Sequence, residues 1–183
     1  SGKARGKLSG VCGKLSGKRG KLYIHFIYNK LYSGTDKSPA GMQRGTIRLI
    51  YITGDIHGDK RRFEDAKRLR SGDTLLICGD FGFLWDGGVA EERFLKKLGK
   101  KKYAIAFVDG AHENFELLNR CEEGEWNGGR VHCLGGNIYH LMRGEVYTIE
   151  GKTFFAFGGG ETRERQIYQD AGKWWKEEFP TLE

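Results

Sequence analysis

Long hydrophobic runs are missing from this sequence of 183 residues. Hydrophobic residues make up 38% of the chain, but nowhere do they form the roughly 18 consecutive apolar residues that a transmembrane helix requires. The first residues are rich in Lys and Gly and lack the apolar core of a secretory signal peptide. We therefore expect a protein that does not span a membrane and has no membrane partner.

Cysteine and proline are both scarce. The four cysteines are Cys12, Cys78, Cys121 and Cys133, and no two of them form a Cys-x-x-Cys pair. This spacing argues against a zinc ribbon or a dense disulfide framework and fits a reducing compartment, so we expect a cytoplasmic protein. With 2 prolines and 29 glycines, the turns of the chain are made mainly by glycine.

Acidic residues are almost absent from the first quarter of the chain. Residues 1–48 hold 11 basic residues and a single acidic one, Asp36, whereas residues 49–183 hold 20 basic and 23 acidic residues. The formal net charge of +7 therefore comes from the N-terminal part alone. Such asymmetry indicates a solvated arm, and a nucleic-acid-binding arm is the less favoured alternative.

The composition divides the chain into a leader and one domain. Residues 1–22 repeat Gly-Lys without an apolar period, which is typical of disordered chain. Residues 22–32 are aromatic and apolar, and their pattern does not decide between a strand and a short helix. Met42 follows a linker, so we expect a basic leader over residues 1–41, not native to the protein, and a domain over residues 42–183.

Apolar runs alternate with helical patterns in the domain. Buried strands are predicted at residues 47–53, 74–78 and 103–108. The segments with helical spacing between and after them are residues 61–70, 91–98 and 115–119. Strands in series, each followed by a helix, predict βαβ units with parallel pairing and right-handed crossovers.

The C-terminal part of the domain predicts antiparallel strands. Residues 131–134 form a short fourth strand, and residues 139–149 and 152–157 flank the tight turn Glu150-Gly151 as a hairpin. Residues 163–178 have helical tendency. The fold class is therefore α/β with mixed or doubled sheets. In such architectures ligands bind beyond the carboxyl ends of the strands.

Polar motifs follow each of the three predicted parallel strands. They are GDIHG at residues 54–58, GDFG at residues 79–82 and GAHEN at residues 110–114. Asp55, His57 and Asp80 therefore reach one sheet edge together. Carboxylates and imidazoles suit Mn, Fe or Zn better than Ca or Mg. Three such motifs in order predict a divalent-metal site, and helix capping by the aspartates is the less favoured interpretation.

These ordered motifs resemble those of the calcineurin-like metallophosphoesterases, which carry D-x-H, then GD, then G-N-H-[DE]. Four further segments are similar to a small bacterial and phage branch of that family. They are VDGxHENF at residues 108–115, GGN at residues 135–137, FGGG at residues 157–160 and WWKEE at residues 174–178. The resemblance covers roughly residues 47–179.

The resemblance implies a four-layer α/β/β/α sandwich with mixed sheets and a dinuclear centre at the strand ends. It assigns Asp55, His57 and Asp80 to the first metal, with Asp80 bridging to the second. It places His112 beside the scissile phosphate as a transition-state stabiliser or general acid. The implied activity is metal-dependent hydrolysis of a phosphoester substrate, as in a phosphatase.

Two departures from the family pattern affect the expected activity. Ala111 stands where the family has an asparagine that binds the second metal, and the sequence reaches Glu183 without the family's two later histidine motifs. We therefore expect a fragment whose fold is incomplete at the C-terminus, whose second metal site is incomplete and whose hydrolysis is weak or absent. The alternative is an inactive remnant that binds nucleic acid or protein.

We also make predictions for two later histidines and for the two polar residues that flank the third motif. We expect His132 and His140 to be partly buried strand histidines. Asp109 and Asn114 flank the third motif and are candidates for orienting His112.

Overall fold

A computed structural model of the chain describes residues 25–26 and 48–181. The strands are β1 (His25–Phe26), β2 (Ile50–Thr53), β3 (Thr74–Cys78), β4 (Ala104–Val108), β5 (Glu122–Trp126), β6 (Gly129–Gly135), β7 (Ile138–Leu141), β8 (Val146–Ile149) and β9 (Lys152–Phe155). The helices are α1 (Val89–Leu98), α2 (Phe115–Leu118) and α3 (Arg165–Asp170). Short 3₁₀ helices span Lys60–Phe63, Asp65–Arg68 and Lys176–Glu178.

Seven of the strands form one mixed sheet in the order β1-β2-β3-β4-β7-β6-β5. Strands β2, β3 and β4 pair in parallel, as predicted, and β7 continues the parallel part beside β4. Strands β1, β6 and β5 pair antiparallel to their neighbours, and β8 and β9 form a separate two-stranded sheet. The predicted mixed α/β class is thus confirmed.

Successive strand residues point to opposite faces of the sheet, and both faces of the large sheet are covered by a hydrophobic core. Leu75 and Ile77 of β3 belong to the core that includes Leu95 and Leu98 of α1. Leu76, between them, belongs to a second core shared with Tyr147 and Ile149 of β8. The described residues therefore form three layers: the layer of α1, the large sheet, and the two-stranded sheet of β8 and β9. The resemblance implies four layers.

The prediction of a helix over residues 61–70 was wrong in type, since two 3₁₀ helices occupy this stretch. Phe63, Ala66 and Leu69 recur every third residue and are all buried. Phe63 ends the first 3₁₀ helix, Ala66 lies in the second, and Leu69 follows the second. The apolar residues were correctly identified as buried, but the helix type was not.

The predicted strand over residues 139–149 is in fact two strands in different sheets. Its first part belongs to β7 of the large sheet, whereas β8 pairs with β9 across the predicted Glu150-Gly151 turn. Gly144, at φ +80°, lies in the connection between them. The hairpin of β5 and β6 was missed, although Asn127-Gly128, the strongest short hairpin signal, connects its strands.

Part of the prediction falls outside the described residues. Of the leader, only β1 is described, where His25 pairs with Ile52. The helical tendency of residues 163–178 is realised only in α3 and the 3₁₀ helix Lys176–Glu178. Among the described residues, no helix has the length and apolar character needed to cross a bilayer.

Candidate metal centre

The loops that follow β2 and β3 are held together by their backbones. The amides of Asp55, His57 and Gly58 donate to the carbonyls of Gly79, Asp80 and Phe81 over 3.0, 2.8 and 3.1 Å. The two backbones approach so closely that a Cβ atom on Gly58 would lie 2.6 Å from the Gly82 carbonyl oxygen. Glycine is therefore required where the GDIHG and GDFG loops meet.

Three predicted metal ligands have a strained backbone. Asp55, His57 and Asp80 have φ of +57°, +48° and +54°, in the left-handed region that residues with side chains rarely adopt. Elsewhere in residues 48–181, only Asn127 and Glu150, both in hairpin turns, share this conformation without being glycine. Strain of this kind persists only where surrounding structure imposes it, and it concentrates at functional sites.

The third loop attaches to the second through Asp80 and Glu113. The His112 amide donates to Asp80 Oδ1 over 2.9 Å. The buried Glu113 carboxylate accepts from the amides of Phe81 and Gly82 over 2.7 and 3.3 Å. Burial raises the pKa of Glu113 to about 8, although these two amide bonds oppose the shift. Glu113 thus anchors the third loop beneath the second.

The side chains of His57, Asp80 and His112 converge. One nitrogen or oxygen from each lies within 4.8 Å of the others, the only such group of three possible ligands in the described part of the chain. His57 Nε2 lies 3.7 Å from Asp80 Oδ2, and His112 Nδ1 lies 3.4 Å from Asp80 Oδ1. His112 Nδ1 is buried and makes no hydrogen bond. This donor set fits a divalent transition metal.

Asp55 lies beside this group. Its Oδ1 is 2.6 Å from His57 Nε2, and its Oδ2 is 3.6 Å from Arg62 Nη1. The Asp55 side chain is 68% exposed, so it borders the solvent side of the cluster. The structure therefore brings His57 and Asp80 together with His112, and it places Asp55 beside His57 but outside that group.

Sequence reasoning missed the residues that surround His112. The buried hydroxyl of Thr162 lies 3.1 Å from His112 Nε2, and the Tyr168 ring centroid lies 5.3 Å from that of His112. Both follow the second sheet, 50 or more residues from His112, and no motif marked them. Only the fold brings this segment to the strand ends.

The prediction that Asp109 and Asn114 orient His112 was wrong. Asn114 caps α2 by accepting from the Leu117 amide, and its side-chain amide donates to the Trp85 carbonyl oxygen. Asp109 is hydrogen-bonded to His140 and Arg143 and not to His112. Both side chains are therefore hydrogen-bonded to groups other than His112.

His132 and His140 are buried in β6 and β7, as expected. Their Nδ1 atoms lie 3.0 Å apart, and His140 Nε2 lies 3.0 Å from Asp109 Oδ1. Burial would raise the pKa of Asp109, but its bonds to His140 and Arg143 lower it below the ordinary value. Burial and the neighbouring His140 lower the pKa of His132. We call these four side chains the buried histidine network.

A cavity of about 400 Å³ opens beside the candidate metal ligands. Its lining residues are His57, Gly58, Gly82, Trp85, Glu91, His112 and Tyr168. Because two of the converging side chains face it, a small molecule in this cavity would contact whatever the cluster binds.

Comparison with known families agrees with the motifs. A family model described as calcineurin-like phosphoesterase matches residues 48–182, which is more than half of the chain. Comparison with the curated proteins gives no significant match. Comparison with the solved structures also gives none.

Proposed function

Because the chain belongs to the calcineurin-like phosphoesterase family, we propose that it hydrolyses phosphoesters with a divalent cation held by Asp55, His57 and Asp80. The observation that carries this proposal is the convergence of His57, Asp80 and His112 from three loops at one sheet edge, with Asp55 2.6 Å from His57. The unpartnered, buried Nδ1 of His112 supports it, since a buried polar atom normally has a hydrogen bond or a metal.

The chemistry divides between the cation and the protein. A bound divalent cation supplies Lewis-acid activation of the attacking water and stabilises charge on the phosphoryl group. The His112 ring, held at Nε2 by Thr162, faces the cavity and meets the charge that develops on the phosphoryl oxygens. Strained but rigid loops keep these groups in place before substrate binds.

We further propose that one cation site is complete and the second is weak. Ala111 offers no ligand atom, and within residues 48–181 a single group of converging ligands is present. Imidazole with carboxylate favours Mn, Fe or Zn at the complete site.

A calorimetric titration with Mn²⁺ tests the binding part of the proposal. We expect one tight site per chain. Two tight sites would contradict the proposed loss of the second site, and no binding would contradict the metal centre itself.

Hydrolysis of p-nitrophenyl phosphate with Mn²⁺ tests the catalytic part. Asp55→Asn keeps a residue type that tolerates the left-handed backbone but weakens cation binding, so we expect a large loss of activity. Asp170→Asn, an exposed aspartate of α3 outside the cluster, is the matched control. Equal activity in Asp55→Asn and wild type would exclude the metal mechanism, and binding of Mn²⁺ without any turnover would favour an inactive remnant.

A further inference from the structure

One wall of the cavity is aromatic. Tyr168 and Trp85 both line it, together with His57 and His112 of the cluster. The Tyr168 ring centroid lies 5.3 Å from that of His112 and 6.3 Å from that of Trp85. Tyr168 therefore contacts both His112, the proposed phosphate contact, and the second aromatic side chain of the cavity.

We propose that this cavity binds nucleotides, with the phosphate at the metal cluster and the base on Trp85. The inference rests on the proposed phosphoesterase function and specifies its substrate class. A volume of about 400 Å³ lies within the roughly 300–1,000 Å³ of small-molecule sites. Planar bases stack on aromatic side chains without regard to base identity.

The two aromatic side chains favour a nucleotide over a simple aryl phosphate. A ring joined directly to the ester oxygen would meet Tyr168, which adjoins His112. A base is separated from its phosphate by the sugar, so it can also contact Trp85, whose ring centroid lies 6.3 Å from that of Tyr168.

Trp85 is fixed before any ligand arrives. Its amide donates to Glu91 Oε2 over 3.0 Å, and its carbonyl oxygen accepts from Asn114 Nδ2. Its ring also packs edge-on against Trp175, with centroids 5.8 Å apart. A rigid aromatic surface gains affinity because little conformational freedom is lost on binding.

Glu91 provides a polar group on the same cavity. Its Oε2 accepts the amides of Trp85, Asp86 and Gly87. All three bonds end on this one oxygen, so Oε1 keeps its acceptor capacity. A hydroxyl of the sugar or an amino group of the base can donate to it.

Calorimetric titration of the Mn²⁺-loaded protein tests the inference. The ligands are inorganic phosphate and the non-hydrolysable phosphonate analogues of AMP, ribose 5-phosphate and phenyl phosphate. We expect the AMP analogue to bind about tenfold or more tightly than the ribose analogue, which is the order of one base stacked on an aromatic ring. Trp85→Leu should abolish this gain, Trp85→Phe should keep most of it, and neither should change phosphate affinity.

Two controls accompany the variants. Trp126→Phe, at a ring that stacks on Tyr139 in the other core, should change nothing. The phenyl analogue should bind Trp85→Leu and wild type equally, since its ring reaches only Tyr168. If Trp85→Leu does not fold, tryptophan fluorescence of the wild type replaces it, and the AMP analogue alone should quench it.

The outcomes separate the two levels of the proposal. Equal affinity of wild type for phosphate, the ribose analogue and the AMP analogue would overturn nucleotide binding while leaving the phosphoesterase function intact. A phenyl analogue that binds as tightly as the AMP analogue and loses affinity in Trp85→Leu would instead favour aryl phosphates. No binding of phosphate in the presence of Mn²⁺ would contradict the proposed function and, with it, this inference.

Discussion

Two clusters, each of two histidines and one aspartate, lie in this fold and differ in how their polar atoms are used. In the candidate metal centre, the side chains of His57, Asp80 and His112 are 44%, 23% and 22% exposed. In the buried histidine network, the side chains of His140 and Asp109 are 6% and 1% exposed. The same residue types therefore occur once in a partly exposed cluster and once in a buried one.

Hydrogen bonding separates the two clusters more sharply than exposure does. In the network, each histidine bonds to its neighbour and Asp109 bonds to both His140 and Arg143. In the metal centre, His112 Nδ1 is buried without a partner and the three backbones at Asp55, His57 and Asp80 are strained. A fully satisfied polar group stabilises structure, whereas the unpartnered His112 Nδ1 is left free to bind a ligand.

The largest expected effect is on folding, from Asp109→Asn in the network. Removing one carboxylate leaves the Arg143 guanidinium without its buried partner, which typically costs about 3–5 kcal/mol. We expect the free energy of unfolding in urea to fall by about 3 kcal/mol. Affinity for Mn²⁺ should stay within about twofold, because Asp109 lies outside the metal centre. A stable variant that has lost Mn²⁺ binding would reverse the assignment of the two clusters.

The matched change in the metal centre is Asp80→Asn. Asparagine tolerates the left-handed backbone and its Oδ1 can still accept the His112 amide, so the fold should be little changed. We expect Mn²⁺ affinity to fall about 100-fold, since even indirect partners of a ligand contribute 10–100-fold. Calorimetry measures the affinity, and urea unfolding without metal serves as the control. Unchanged affinity in a folded variant would remove Asp80 from the site.

The positions of the candidate metal centre and the buried histidine network were only partly predictable from the sequence. The parallel strands were readable because buried runs such as 74–78 are continuously apolar and end in Gly-Asp. Since carboxyl ends of parallel strands share one sheet edge, the approach of His57 to Asp80 followed directly. Local patterning was thus sufficient where chain order and spatial order coincide.

The pairing of strands far apart in the sequence could not be predicted in this way. His132 and His140 lie on β6 and β7, and their contact with Asp109 depends on β7 pairing with β4, which no local pattern predicts. Thr162 likewise reaches His112 only because the chain returns to the strand ends after the hairpin of β8 and β9. Side chains positioned by tertiary crossovers leave no spacing signal in the sequence.

A smaller effect is expected where a single bond orients His112. Thr162→Val removes the hydroxyl at His112 Nε2, whereas Thr162→Ser keeps it. We expect affinity of the Mn²⁺-loaded protein for inorganic phosphate to fall about tenfold in the valine variant and to recover in the serine variant. A loss of Mn²⁺ affinity instead would make His112 a metal ligand and not the phosphate contact, and no change in either would leave Thr162 without a positioning role.

The smallest effect is the contribution of His132 to the pH dependence of stability. Because burial and His140 lower the pKa of His132, the folded state favours its neutral ring. The stabilisation is complete above the unfolded pKa of about 6.5 and is lost as the pH falls from there toward the lower folded pKa. The pKa of Asp109 is also lowered, so its contribution to stability is lost only at much more acidic pH.

Urea unfolding at pH 7.5 and pH 5.5 measures this dependence (both are roughly one unit from the ordinary histidine pKa). The raised pKa of Glu113, about 8, makes the folded state more stable at the acidic pH, whereas the lowered pKa of His132 has the opposite effect. His132→Gln removes only the contribution of His132, so the free energy of unfolding of the variant relative to wild type should be higher at the acidic pH than at pH 7.5. Identical differences in wild type and variant would show that the network does not titrate in this range.

Anomalous diffraction from crystals of the protein grown with Mn²⁺ tests the account most directly. We predict one manganese peak at the edge of the sheet, in contact with Asp55, His57 and Asp80, and none between His132 and His140. Side chains of Asp55, His57 and Asp80 that point apart around an empty site, or a peak at the buried histidine network instead, would contradict it.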